Sequence, residues 1–310
     1  MNPMPTHLVT DRRNFHRTAL ASGLLVMRPA LADDKTKMVI DTHLHCFAGA
    51  GDARFPYHPQ APYEPPQAAT PQHLLTCMDD AGVDFAIVVH PEPYQGDHRY
   101  LDYCLDVGAG RLKGTCLFFA DRPDSLRQMP EYLKRNDGKI VAARLHAYAP
   151  DRLPPFGKPE LRQLWRIATE HGVAVQLHLE PRYAERLEPY IDEFRETTVI
   201  IDHLGRPMQG TPDEHETVVR WSDKPNTIMK IAALPEQTAY PHRDVAPIIR
   251  RLTTVYGPQR VIYGGGFGAD ATGASYRAYR ERVAGYLEHL NETEQALVLG
   301  KNAARIFSFQ

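Results

Sequence analysis

The sequence predicts an α/β fold, a single-domain (β/α)8 TIM barrel, and three observations lead there. Short apolar, β-rich runs alternate eight times with helical stretches, which produces a parallel sheet, and eight is the number that closes it into a barrel. The chain beyond residue 32 has the length such a barrel needs, about 250 residues. No glycine-rich nucleotide turn follows the first run, which argues against a doubly wound open sheet.

In chain order the strands are expected at Met38–Ile40, Phe85–Val89, Thr115–Phe118, Val141–Leu145, Ala174–Leu177, Val199–Ile201, Thr227–Lys230 and Arg260–Tyr263. Helices are expected at Gln72–Ala81, Asp124–Arg135, Pro159–His171, Tyr183–Glu196, Arg243–Tyr256 and Ser275–His289. A last helix starts at Asn291, an N-cap residue with Glu294 three positions on. No internal repeat and no second domain is visible.

Composition narrows the function. A formal charge of −2 and 43% hydrophobic residues over 310 positions describe an ordinary globular protein with enough apolar surface for a core. Near-neutral charge and the lack of a basic stripe exclude a nucleic-acid surface and leave a small-molecule substrate as the expected partner. The 26 prolines cluster in stretches such as Pro56–Pro71, which are read as long surface loops. Cys46, Cys77, Cys104 and Cys116 show neither CxxC nor zinc-finger spacing, so no disulfide framework is expected. Cys46 follows His45 and lies either near the site or, as a small apolar residue, in the core.

The N-terminus carries an address. Asp11–Arg17, with the pair Arg12-Arg13 and Phe15, precedes the apolar run Thr18–Met27 and the small-x-small pattern Ala30-Leu31-Ala32. The run is too short for a membrane anchor, and the pattern resembles a twin-arginine export signal. Residues 1–32 are accordingly set apart from a barrel domain of 33–310, and the expected location is periplasmic or extracellular.

The chemistry is concentrated in Asp41-Thr42-His43-Leu44-His45 at the end of the first apolar strand. Alternation along a strand predicts that Asp41, His43 and His45 point the same way, and such a face is costly to bury unless paired or metal-bound. In a barrel the reactive groups sit at the C-terminal strand ends. Those ends read His90 and Glu92, Arg144 and His146, His178 and Glu180, Asp202 and His203, and Lys230. Imidazoles with carboxylates suit Zn²⁺ or a similar divalent ion, which lowers the pKa of a bound water.

The motif at 41–45, the stretch Ile200-Ile201-Asp202-His203-Leu204-Gly205-Arg206-Pro207 and the terminal Gly300–Phe307 carry a resemblance to the amidohydrolase superfamily. The branch it is most similar to holds dicarboxylate-lactone and sugar-lactone hydrolases. Weaker matches are Arg144, Met229-Lys230-Ile231, Tyr240-Pro241 with Asp244 and Pro247, and Arg260–Gly264. The resemblance implies His43, His45, His178 and His203 as metal ligands, with His178 and His203 catalytic. It implies Arg144 as the group holding a substrate carboxylate or carbonyl; His146, Glu92 and Lys230 are further substrate-binding candidates. It also implies that the site works either with a divalent metal or without one, the histidines then polarising the carbonyl themselves.

One position departs from the family. Its eighth strand ends in Gly-Ser/Thr-Asp, where the aspartate meets the metal and takes a proton from water; here Gly264-Gly265-Gly266 places a glycine in the aspartate's position. Three readings follow: Asp270 folds back along the glycine-rich loop as the base, Glu180 or Glu92 takes over, or the barrel binds a ligand without turning it over. The expected function is hydrolysis of a lactone or related cyclic ester or C–N bond. A non-catalytic binding barrel and a metal-dependent decarboxylase are the alternatives.

Overall fold

Isoleucine or alanine recurs at one inward position on seven of the strands (Ile40, Ile87, Ala142, Ala174, Ile200, Ile228, Ile262), and these side chains pack together as the apolar floor of a barrel. The C-terminal residues Ala303, Phe307 and Phe309 close that floor from below. The computed structural model describes residues 38–235 and 244–310. The export-signal reading and the Tyr240-Pro241 match lie outside the described residues.

Eight parallel strands follow one another in order: β1 Ile40–Leu44, β2 Phe85–Val89, β3 Leu112–Leu117, β4 Ile140–Ala147, β5 Ala174–Leu179, β6 Val199–Ile201, β7 Thr227–Ile231 and β8 Val261–Tyr263. The helices are α1 Pro71–Ala81, α2 Arg99–Gly108, α3 Pro123–Arg135, α4 Pro159–Glu170, α5 Ala184–Glu193, α6 Pro212–Arg220, α7 Ala246–Tyr256, α8 Gly273–Tyr286, α9 Glu292–Ala296 and α10 Asn302–Phe307. This is the expected TIM barrel. Among the described residues no helix is long and apolar enough to cross a membrane. All four cysteines are buried free thiols.

The sequence reading missed α2 and α6. For α6 a signal was present: Thr211 and Glu214 form a capping box around Pro212. The first strand also runs later than expected, through Asp41, Thr42 and His43, all of them buried. Polar residues persist inside this strand because they are satisfied across a seam. Among the described residues the ladder carries no β8–β1 rung. Instead Thr42 Oγ1 donates to the Tyr263 carbonyl at 2.7 Å, and the Gly265 amide donates to Asp41 Oδ1 at 2.7 Å.

Some histidines are structural. His98 accepts from the Leu117 amide at 3.2 Å and stacks on His90 and Tyr132, each with ring centroids 4.4 Å away. His90 donates to the Gln95 carbonyl at 2.8 Å. Burial pushes His90 down to about 4 and His98 well below the usual imidazole range. An unfolded histidine binds its proton near 6.5. The unfolded chain therefore takes up protons first, and this stability is full above 6.5 and lost as pH falls from there toward 4. Asp41, pushed up to about 7 by burial, works the other way, one group against these. The urea midpoint is expected to fall steadily between pH 7 and pH 4.5; a flat profile across that window would contradict the assignment.

Candidate active site

The barrel interior is layered. Above the apolar floor, strand neighbours Arg144 and Gln176 share a level with Asp202 and Lys230. Asp202 is the hub of this level. Its Oδ2 lies 3.2 Å from the Arg144 guanidinium and accepts from Gln176 Nε2 at 2.9 Å, while Oδ1 lies 3.1 Å from Lys230 Nζ. Burial works to raise its carboxyl, but Lys230, His43 and Arg144 hold it well below the usual carboxylate range. Two cations against one carboxylate leave this level net positive.

One step further along the strands lies a row of imidazoles. His146 and His178 are register partners, with centroids 5.4 Å apart. His178 meets His203 at 5.2 Å, His203 meets His43 at 4.5 Å, and His43 meets His45 at 5.3 Å. Burial drives every one of these below 6.5, His45 to about 3 and His203 to about 4, so the row is neutral at pH 7. The buried Nδ1 atoms of His178 and His203 have no hydrogen-bond partner.

A rare backbone conformation presents His203. Residues 203–206 all have positive φ: His203 56°, Leu204 59°, Gly205 70° and Arg206 53°. Left-handed conformation costs non-glycine residues about 1–2 kcal/mol each, so the surroundings must enforce it. His215 does so by donating to the Leu204 carbonyl at 2.8 Å, and Gly205 is pressed against Val218, whose Cγ1 lies 2.6 Å from where a Cβ would sit.

The parity expected for Asp41, His43 and His45 does not hold, because β1 gains one residue against β2 between Asp41 and Leu44. Such a bulge reverses which way the following side chains point. His43 and His45 line the cavity. Asp41 turns outward to α8, where Tyr276 donates to its Oδ2 at 2.6 Å; its Oδ1 accepts from the His43 amide at 2.8 Å as well as from Gly265. Asp41 is therefore a clamp between β1, β8 and α8.

The three glycines after β8 are close-packed. A Cβ on Gly264 would lie 2.6 Å from the His43 amide nitrogen. Gly266 has φ +106°, and a Cβ there would lie 2.9 Å from Tyr279 Cβ and Cγ and 3.0 Å from Tyr276 Cδ2. The space beside the aspartate's expected position is filled by two tyrosine rings.

A cavity of about 1070 Å³ opens above the imidazole row. His43, His45, Arg144, His178, His203, Glu92 and Asp270 line it. Asp270 is exposed on its wall and does not join the close group of donors formed by His43, Asp202 and His203, whose ligand atoms lie within 4.8 Å of one another. Lys230 departs from its expected substrate-binding place: it is fully buried in the charge layer and does not line the cavity. His146 faces Glu92, 3.0 Å away, and a smaller annex. Glu180 is engaged by Arg182. Residues that sequence reading missed are Gln176, Tyr148, Arg152 and Tyr276. Only Gln176 carried a signal, standing two residues before His178 on an otherwise apolar strand.

His43 and His203, together with Asp202, place ligand atoms close enough to share a divalent ion. His45 donates Nδ1–H to the Val89 carbonyl at 2.7 Å, which fixes the ring and leaves Nε2 as the ligating atom, the arrangement typical of metal-bound histidine. Asp202 fits less well, since both its oxygens already face cations or Gln176 and would have to exchange them.

A TIM barrel with imidazoles and a buried carboxylate gathered at its C-terminal strand ends defines an amidohydrolase-type site. The amidohydrolase family model matches residues 40–309, and the chain belongs to that family. It is 28% identical over 245 residues to a 2-pyrone-4,6-dicarboxylate hydrolase of Comamonas testosteroni, covering 73% of this chain and 75% of that protein. Among solved structures, it resembles a probable 2-pyrone-4,6-dicarboxylic acid hydrolase from Acinetobacter baumannii with citric acid bound (TM-score 0.68, 21% identity, 87% of this chain and 99% of that one). It also resembles an amidohydrolase from Burkholderia multivorans with bound zinc (TM-score 0.65, 15% identity, 88% and 100%). At these identities the structures share the fold.

Restoring the family's carboxylate is expected to fail. Gly266→Asp combines a positive φ with contact against Tyr276 and Tyr279, and should cost roughly 2–5 kcal/mol. Chemical denaturation measures it; an aspartate variant as stable as the parent would show that the tyrosine wall yields.

Proposed function

We propose that this barrel hydrolyses a lactone or closely related cyclic ester. The observation that carries the reading is the unbroken row of neutral imidazoles, His45, His43, His203 and His178, along the cavity wall over the cationic Arg144. Descent from the same family as a lactone hydrolase supports it.

The substrate carbonyl sits where Arg144 and imidazole N–H groups stabilise the oxyanion that forms on water attack, and donors already fixed by burial need no reorganisation to do so. His178, neutral and on the cavity wall, takes the proton of the attacking water. Collapse of the tetrahedral intermediate breaks the ring C–O bond, and the same proton passes to the departing alkoxide. The products are one hydroxyl and one carboxylic acid on the opened chain; the acid ionises and releases its proton to solvent, and His178 is neutral again. A zinc-like ion, when bound, would be held by His43, His45 and His203, leaving His178 free as the base, and would supply Lewis-acid polarisation of the carbonyl and a more acidic water.

The second reading, a barrel that binds without turnover, is favoured by one observation: the tyrosine-walled Gly266 leaves no carboxylate at the family's base position. The decarboxylase alternative needs that same carboxylate and gains nothing from the geometry.

Ring opening followed by acid release over a panel of lactones separates the readings. His178→Ala is expected to lower kcat by ~10²–10⁴, the usual worth of a general base. Because the neutral form is the active one, the rate should fall as pH drops through the depressed histidine range, below 6.5, and hold above it. Ligand-induced thermal stabilisation with no turnover, with and without added Zn²⁺ or Mn²⁺, would sink the hydrolase and favour the binding barrel.

A further inference from the structure

Glu92 and Arg152 neutralise one another at the cavity wall. Glu92 follows β2 and Arg152 lies in the connection after β4. Arg152 Nη1 donates to Glu92 Oε1 at 2.6 Å and to the Tyr148 hydroxyl at 2.8 Å. The Tyr148 hydroxyl donates to Glu92 Oε2 at 2.5 Å, and His146 Nδ1 stands 3.0 Å from Oε1. The Tyr148 ring in turn stacks on His178, centroids 4.4 Å apart, which sets the carboxylate beside the proposed reaction centre. Glu92 lines both the main cavity and an annex of about 280 Å³.

The charge state is clear. Burial acts to raise the Glu92 carboxyl, but His146, Tyr148 and Arg152 bring it down to about 2. A carboxylate already paired with the guanidinium leaves no free cation at this wall for a second carboxylate, yet it still accepts hydrogen bonds from hydroxyls; Oε2, engaged by one donor, keeps capacity for another. Arg152 is suited to gripping a substrate carboxylate with its guanidinium fork, but here the protein's own carboxylate occupies it. Tyr63, 45% exposed on the same cavity wall, offers a ring face beside this acceptor.

We infer that Glu92 determines specificity, selecting a ring that carries hydroxyl groups and rejecting one that carries a carboxylate at this wall. Resting on the hydrolase reading, this makes the substrate a polyhydroxylated lactone, not the dianionic pyrone named for the Comamonas relative. Glu92 also sets the place of Tyr148, and through it of His178.

Titration calorimetry on the full chain tests the inference without needing turnover. D-Gluconate, a hydroxylated monoacid, is compared with citrate, a triacid of similar size. The wild type should bind gluconate about tenfold more tightly than citrate, the scale of one charged hydrogen bond. In Glu92→Gln, Arg152 is released, so gluconate should weaken about tenfold and citrate should tighten about tenfold. A gain in citrate affinity is a readout that a poorly folded variant cannot give. Tyr148→Phe, which keeps the Glu92–Arg152 pair, should retain the wild-type preference.

Citrate binding to the wild type as tightly as gluconate overturns the inference, as does a wild type that binds neither. An unchanged ratio in Glu92→Gln overturns it too. Lactonase assays distinguish its failure from that of the function: turnover confined to dicarboxylate pyrones overturns the Glu92 inference and upholds the hydrolase. A gluconate preference without turnover of any lactone upholds Glu92 selectivity and sinks the hydrolase.

Discussion

The site depends on one buried carboxylate that does no chemistry. Asp41 joins the first strand to the last by accepting from the amides of His43 and Gly265, and joins both to α8 through Tyr276. A barrel whose β1–β8 seam lacks ladder rungs needs some other closure, and buried hydrogen bonds to a carboxylate are strong ones. The same contacts accommodate the extra residue in β1 that turns His43 inward. Closure of the sheet and orientation of the first imidazole are thus one event. The glycine run follows from it, because only residues without a Cβ can pass between the His43 backbone and the tyrosines of α8.

Beneath the imidazoles, the Arg144–Asp202–Lys230 level contributes to the neutrality of part of the row. Burial is the first cause, and the uncompensated cationic charge adds to it at His45 and His178 through Arg144. A buried ion group of this kind is not a source of net stability; removing one partner costs about 3–5 kcal/mol because the others are stranded. What it provides is a fixed positive field at the base of the cavity.

The barrel was legible because a parallel strand buried on both faces is a short apolar run, and eight of them alternate with helices. β6 and β8, only three residues each, still stood out as Val199-Ile200-Ile201 and Val261-Ile262-Tyr263. The site was legible as a set of strand ends, which the topology then gathered. Side-chain direction was less accessible. A single-residue bulge reversed the parity of Asp41 against His43, and nothing in the local sequence marks it. Lys230 was placed at the right strand but read one level too high, since a lysine on a strand shows its charge and not its partner. Arg152 and Tyr148 lie in a loop, and their importance comes only from Glu92, some 60 residues away in sequence.

The weak basicity of these imidazoles limits the chemistry the cavity can support. A histidine that burial holds well below the usual imidazole range, as at His178, is a poor proton acceptor, and an imidazolium formed beside Arg144 is unstable. Such a base suits a reaction in which the carbonyl is already electrophilic and the proton is returned at once to a departing oxygen. A lactone meets both conditions, having a strained or activated ester and an alkoxide leaving group that remains tethered nearby. An amide meets neither, because its carbonyl is deactivated and its nitrogen must be protonated before it leaves. Under the proposed hydrolase reading, imidazoles this weakly basic suit cyclic esters better than C–N bonds.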